Sequence, residues 1–487
     1  MWYKRSFDRV PKGLKPLPEP PGKKLIIGHL KAIGLEPHRR FKEWREHVGD
    51  IFMVQMGQER WIILNNMQLV NDLLQKRDWE IIQRKRLYAG SPNNEWFRKI
   101  TPLVHGALNN RRINSYTNLI NECTLELLQI FHRDGQTLQG LRPQSYLSYT
   151  NLNIMLNVIF AIKAKGIDDP LYKLLIDLSK RAFEFGTMKH RIFNFFPILR
   201  WVLSRRTTLK NAIQLRDDWE TTVEGLLTQV KNDRDEKPCV ARDLLKKLQE
   251  GRCDEFDVIH LSIGLINAGT ETTSTALNWV IALLAKYPEY QARAHEELDR
   301  VIGKTRLPIK EDEPSLDFIR SFIKESMRWA APLNFGVPHY IEEDDEYMEY
   351  HIPKNSLVVL ANYSIHTDET RYKNANTFDP TRFLGIKESS AVLAQGKVEL
   401  RDHFAFGAGR RLCSGIHLAE AELFLVTSRI LWAFRIEPGL QSDGVTPTTI
   451  DLFKYTNKFT VCLDPYNVRF VPRHENVDSI IYQENSN

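Results

Sequence analysis

Phe406-Gly407-Ala408-Gly409-Arg410-Arg411-Leu412-Cys413-Ser414-Gly415 sets a single cysteine in a glycine-rich, basic loop just ahead of a helical segment. From Ile416 to Phe434 apolar residues recur at helical spacing, with Glu420 and Glu422 near the start as helix openings prefer. Cys413 then sits at the positive end of a helix dipole beside Arg410 and Arg411, and all three influences lower a thiol pKa. A thiolate is what an iron ion takes as ligand. The plainer alternative is a buried structural cysteine, which is the expectation for Cys123, Cys239, Cys253 and Cys462.

With a haem at this place, each neighbour has a task. Gly409 permits a tight turn at positive φ, and Gly415 lets the backbone lie flat against a macrocycle. Phe406 shields the sulfur, the loop N–H groups around Gly407 donate to it, and Arg411 is spaced to pair with a propionate. The pattern Phe, two residues, Gly, one, Arg, one, Cys, one, Gly resembles the cysteine-ligand signature of the cytochrome P-450 monooxygenases, with every fixed position filled. That resemblance implies a mainly α fold with small β-sheets (α+β). In it haem b is held between a long central helix and the cysteine loop, with Cys413 as axial thiolate.

Two further segments carry the resemblance. Asp254 to Lys286 reads as a long, largely buried helix. Its middle, Ala268-Gly269-Thr270-Glu271-Thr272-Thr273, holds poor helix formers whose hydroxyls bond back to the preceding turn, so a local opening or bend is expected. Taken alone, that stretch is as readily a close-packing point between helices. Within the resemblance it is similar to the oxygen-activation groove: Glu271 and Thr272 are the acid and alcohol that pass protons to dioxygen, while the small Ala268 and Gly269 leave room. Glu325-Ser326-Met327-Arg328 puts an acid and a base on one helical face. With Phe378-Asp379-Pro380-Thr381-Arg382-Phe383 downstream, the resemblance implies a buried Glu325/Arg328/Arg382 network that pins the cysteine loop.

Leu17 to Gly22 and Ile27 to His29 look like the family's proline-rich lead-in, and Ile51 to Leu64 and Tyr347 to Leu360 read as hairpins of a small sheet. Pro332 to His339 is expected to line a substrate cavity, with His339 touching one propionate or serving only as a core residue. Trp96 offers its indole N–H to the other propionate. The family's usual Arg four residues after this Trp is absent, its place being taken by Ile100.

The chain of 487 residues suggests roughly three domains at about 150 residues each, but no linker divides it. The organisation expected is a basic segment 1–15, one domain 16–473 and a frayed polar tail 474–487. A net charge of +6 and pI near 8.8 come without a nucleic-acid motif or basic stripe, so nucleic-acid binding is not expected. Arg410, Arg98, Lys99, Arg111 and Arg112 are candidates for a patch facing an acidic redox partner. Five irregularly spaced cysteines indicate a reducing compartment. No apolar run of ~18 residues exists to span a membrane, although Trp2, Tyr3, Phe7 and nearby basic residues suit peripheral contact with an anionic surface.

Aromatic residues of the segment 183–201 (Phe183, Phe185, Phe193, Phe195, Phe196, Trp201) match the family's mobile roof. With Leu265, Leu333, Phe335, Val337 and Phe453 they imply an apolar pocket for a steroid, polyketide, terpenoid or fatty acid. The region from Asn334 to Arg382 is similar to filamentous-fungal members that oxidise secondary metabolites, resembling the O-methylsterigmatocystin oxidoreductase group. The resemblance therefore implies a monomeric monooxygenase using dioxygen, with NADPH electrons arriving through a separate P-450 reductase or also cytochrome b5. It implies residence on the cytosolic face of the endoplasmic reticulum or in the cytoplasm. The alternatives are a peroxide-using or isomerase-type member, against which an intact Glu271/Thr272 pair argues, and a non-catalytic haem sensor, which needs no such pair.

Overall fold

A computed structural model describes residues 10–76, 80–81, 95–185, 187–199, 205–457 and 459–483. Trp2, Tyr3, Phe7 and Trp201 lie outside the described residues. The axis of the molecule is the helix Glu255–Lys286. Asp254 and Asp257 form a reciprocal capping box at its start, with side-chain to backbone distances of 2.8 and 3.0 Å. Pro288 opens the next helix and so ends this one. Because the axis is apolar on nearly every side, it must be sheathed by other helices. Pro143–Phe160, Asp317–Trp329 and Ile416–Ala433 pack against it, and Thr117–Asp134, lying on the first and last of these, shares the same hydrophobic core.

Gly269 shows how closely the sheath fits. A Cβ there would lie 2.3 Å from Met155 Sδ of Pro143–Phe160. The glycine thus lies at a close contact between the two helices, where an added methyl would have to displace the end of the Met155 side chain. The expected opening of this helix is also not observed. It runs unbroken, and the strain is limited to side-chain bonds such as Thr272 Oγ1 donating to the Ala268 carbonyl at 2.6 Å.

The sheet beside the helices has five strands in the order Ile51–Met56, Glu59–Leu64, Ser356–Leu360, His339–Ile341, Glu80–Ile81. Ile51 to Leu64 is the expected hairpin, but Tyr347 to Leu360 is not one hairpin. Asp345–Tyr347 pairs with Tyr350–Ile352 in a separate sheet, and after a turn at Asn355 (φ 58°) Ser356–Leu360 runs parallel to Glu59–Leu64. The proline-rich lead-in is buckled to the sheet by His29, whose Nε2 bonds the Pro20 carbonyl at 2.9 Å and whose Nδ1 accepts from Gln55 N at 3.0 Å.

The C-terminal segment departs from expectation as well. Asn476–Gln483 is a helix, not a frayed tail. Val477 and Ile481, four residues apart, form an apolar stripe that is fully buried, so the main core takes in residues beyond 473. Among the described residues no helix is long and apolar enough to cross a membrane.

Glu422, in Ile416–Ala433, is almost wholly buried, and burial pushes its carboxyl up to about 8. From the unfolded value of about 4.3 to about 8 the native state holds a proton that the unfolded chain has lost. Stability therefore falls as pH rises through that window, by at most about 1.4 kcal/mol per pH unit. Glu422→Gln should flatten the decline in urea midpoint between pH 5.5 and 8.5; an equal decline in both proteins would refute the assignment.

Candidate active site

Glu325 and Arg328 lie one turn apart on Asp317–Trp329 with no side-chain exposure, joined bidentately at 2.6 and 2.7 Å. So deep a pair needs its remaining donors and acceptors satisfied. Arg328 Nη1 donates to the carbonyls of His366 (2.6 Å) and Ala375 (2.8 Å), and Glu325 accepts from Asp379 N at 2.9 Å. Arg382 joins at 3.3 Å, completing the expected triad. The Tyr372 ring lies under the guanidinium groups of Arg328, Arg371 and Arg382 at 5.1, 5.1 and 5.9 Å.

His366 carries this network to the cysteine loop. Its carbonyl receives Arg328, and its ring Nε2 accepts the Phe404 N–H at 2.8 Å. Burial, reinforced by the neighbouring cations, holds its pKa well below the ordinary value and so keeps the ring neutral as an acceptor. Nearby, Lys324 pairs with Asp402 at 2.5 Å, and Arg401 donates to the His403 and Gly407 carbonyls. Sequence spacing gives no hint of His366, Asp402 or Arg401, because each finds its partner only through tertiary contact.

Within the loop, Gly409 has φ 65°, and a Cβ there would lie 2.0 Å from the Leu74 carbonyl, so only glycine fits. Gly407 is also left-handed, at φ 77°. Cys413 N donates to the Phe406 carbonyl at 2.9 Å, aligning the turn ahead of Ile416–Ala433. The expected lowering of the thiol by Arg410, Arg411 and the helix does not prevail. Burial raises the Cys413 thiol, with only the Gly415 N–H acting against it. A bound metal, which deprotonates a coordinating thiol outright, is what makes this group a thiolate.

Cys413 has exposed surface although protein surrounds it closely enough to raise its pKa. A Cβ on Gly415 would meet only Cys413 Sγ, at 3.9 Å, so the space a flat macrocycle needs is free there. On the central helix, Ala268 is exposed and Thr272 half-buried amid residues that are mostly buried. Among the described residues no His, Cys, Asp and Glu set clusters as a metal centre. The residues fit a haem.

Other candidates lie less simply. Glu271 turns toward Thr460, whose hydroxyl donates to its Oε1 at 3.1 Å. Trp96 donates its indole N–H to Asp257 Oδ1 at 2.6 Å, so the hydrogen bond intended for a propionate is already made. The Arg411 guanidinium stacks on Phe97 at 3.5 Å, beside the buried Ile100. His339 is a buried strand residue in register with Val358 and Ile81. Phe195 packs on Trp61 in the sheet core, Phe335 on Phe41, and Phe453 is 70 % exposed, so these three do not form one cavity wall. In the basic patch, Arg98, Lys99, Arg111 and Arg410 are exposed, whereas Arg112 is committed to Asp243 (2.6 Å) and Tyr116 (3.1 Å).

A family model described as Cytochrome P450 matches residues 18–463. The chain is 31 % identical to cytochrome P450 monooxygenase virE of Hypocrea virens, over 99 % of this chain and 90 % of that protein. It is 31 % identical to cytochrome P450 monooxygenase yanC of Aspergillus niger, over 94 % and 89 %. A zebra fish cytochrome P450 solved with progesterone shares the fold at a TM-score of 0.73, covering 90 % of this chain and all of that one at 22 % identity.

Removing one partner of a buried ion network costs about 3–5 kcal/mol because a charge is left unpaired. That is a large part of the roughly 5–15 kcal/mol holding a typical domain. Glu325→Gln should give little haem-loaded protein whatever compound is added; haem content equal to the parent's would mean the triad does not secure the loop.

Proposed function

Because the chain belongs to the cytochrome P450 family, and is thus a haem-thiolate monooxygenase with Cys413 in the ligand position, we propose that it hydroxylates or epoxidises a hydrophobic small molecule. Steroids, polyketides, terpenoids and fatty acids are the classes intended. One atom of dioxygen enters a C–H or C=C bond and the other leaves as water, with two electrons and two protons consumed. The observation that carries this reading is the Cys413 loop, turned by its glycines ahead of the helix Ile416–Ala433, which shares one core with the central helix that bears the exposed Ala268 and the half-buried Thr272.

When bound, the haem supplies activation of dioxygen, favoured by electron donation from the Cys413 sulfur. The protein's part is positioning and protons. Gly409 and the Phe406 carbonyl fix the Cys413 turn, and Arg411 stands beside it for a propionate. The Thr272 hydroxyl spends its proton on the Ala268 carbonyl at 2.6 Å, leaving its lone pairs to receive a hydrogen bond from water in the cleft. Glu271, the adjacent carboxyl, is the acid that replenishes this water.

Electrons come from NADPH through a separate P-450 reductase, with cytochrome b5 as a second donor. Docking is on the Cys413 side, for which the exposed Arg98, Lys99, Arg111 and Arg410 provide positive charge. The site of action is the cytosolic face of the endoplasmic reticulum, held by peripheral contact. The exposed Leu25, Ile26 and Leu35 beside the proline-rich lead-in support that contact.

Cys413→Ser should abolish the absorption band that thiolate ligation gives the reduced carbon monoxide complex; a band that persisted would assign the ligand elsewhere. With a compound selected by its spectral shift on binding, Thr272→Ala should keep haem and binding while sending several-fold more NADPH electrons into hydrogen peroxide. Parent-like coupling of NADPH to product would remove Thr272 from proton delivery.

A further inference from the structure

The hairpin Tyr455–Asn457 and Val461–Leu463 touches two distant parts of the molecule with consecutive residues of its turn. Phe459 stacks on Phe183, with ring centroids 4.9 Å apart and planes at 25°. Phe183 lies in the last turn of the helix Pro170–Glu184. The next residue, Thr460, is 5 % exposed and donates its hydroxyl to Glu271 Oε1 at 3.1 Å. Cys462 Sγ lies 3.9 Å from the same oxygen and 3.4 Å from the Thr275 hydroxyl, one turn further along the central helix. The second strand is itself anchored there, since Trp279 Nε1 donates to the Val461 carbonyl at 2.7 Å.

A carboxylate on a flexible side chain can adopt several rotamers, and a buried hydroxyl bonded to one oxygen selects among them. Here that hydroxyl belongs to a hairpin whose second strand is fixed to the central helix at Val461, immediately after Thr460, and whose turn leans through Phe459 on the helix Pro170–Glu184. A displacement of Pro170–Glu184 therefore reaches Thr460 through one aromatic contact. Tyr172 of the same helix is close enough to Glu271 for the carboxylate's charge to add to the effect of burial on its phenol.

We propose that Thr460 is a positioning residue for Glu271, and that the Phe459–Phe183 stack makes its hold depend on the position of helix Pro170–Glu184. Proton delivery is thereby matched to a filled cavity. The proposal rests on the reading of Glu271 as the acid that supplies protons to the cleft.

The test uses the haem-loaded enzyme with P-450 reductase and NADPH, without organic substrate, and measures the ratio of peroxide to water formed and the solvent deuterium isotope effect on NADPH oxidation. Thr460→Val, which keeps shape and loses the hydroxyl, should raise both several-fold. Thr460→Ser should restore them, and adding Thr460→Val to Glu271→Gln should change nothing further. Thr460→Ala takes the place of the valine variant if the latter does not load haem. Parent values for the Thr460 variants alongside altered values for Glu271→Gln would overturn the proposal and leave the reading of Glu271 intact. Parent values for Glu271→Gln as well would overturn that reading and the proposal with it. Independent, multiplying effects of the two changes would also overturn it. The link to the helix above is read by hydrogen exchange: 1-phenylimidazole should slow exchange at Thr460 to Leu463 in the parent and not in Phe459→Ala. Equal slowing in both would overturn that link.

Discussion

The fully buried Glu325–Arg328 pair is the constraint on which the rest of this site depends. An ion pair with no exposure is stable only if every leftover lone pair and N–H finds a partner, and the chain must come to it to supply them. The His366, Ala375 and Thr377 carbonyls and the Asp379 N–H are all drawn in, so the meander after the sheet is folded around two side chains. Because His366 also holds the Phe404 N–H, the same constraint reaches the loop that presents Cys413. The pair is thus tied through one residue, His366, to the backbone just ahead of that loop.

A second decisive element is the central helix, apolar on nearly all sides, which can exist only when sheathed. The sheath fits so closely at Gly269 that a methyl group would strike Met155, yet one residue away Ala268 is exposed. Close packing and exposure thus alternate within a single turn of this helix. The polar residues there do not break the helix, because Thr272 satisfies itself on the preceding turn and Glu271 looks away to Thr460. The acid and the alcohol, adjacent in sequence, thus address different neighbours.

Electrostatics at Cys413 show why local rules mislead in this setting. Two arginines and a helix start lower a thiol pKa in an exposed loop, but in an enclosed cleft desolvation outweighs them and the free thiol is raised. Arg411 is turned onto Phe97, and Glu420, expected near the helix start, accepts instead from Ser390 N at 2.6 Å. The basic loop is better understood as a frame for a ligand that brings its own charge.

The sequence by itself determined the family, the ligand cysteine, the glycine at the forced turn and the Glu325/Arg328/Arg382 triad. The glycine is set by a backbone conformation that it alone adopts and the Glu325–Arg328 pair by helical spacing, whereas the ligand cysteine and Arg382, 57 positions from Glu325, were legible through the family resemblance that short motifs carry. It also determined that the chain is mainly helical, since apolar periodicity is local. Only the tertiary structure decided that the segment from Tyr347 to Leu360 divides between two sheets, that Asn476–Gln483 docks as a helix, and that Trp96 bonds Asp257. It alone brought His366 to Phe404 and Thr460 to Glu271, the latter pair separated by 189 positions. Such contacts join side chains whose own neighbours in sequence carry no trace of the partner, because the free energy that selects them is that of packing the whole core.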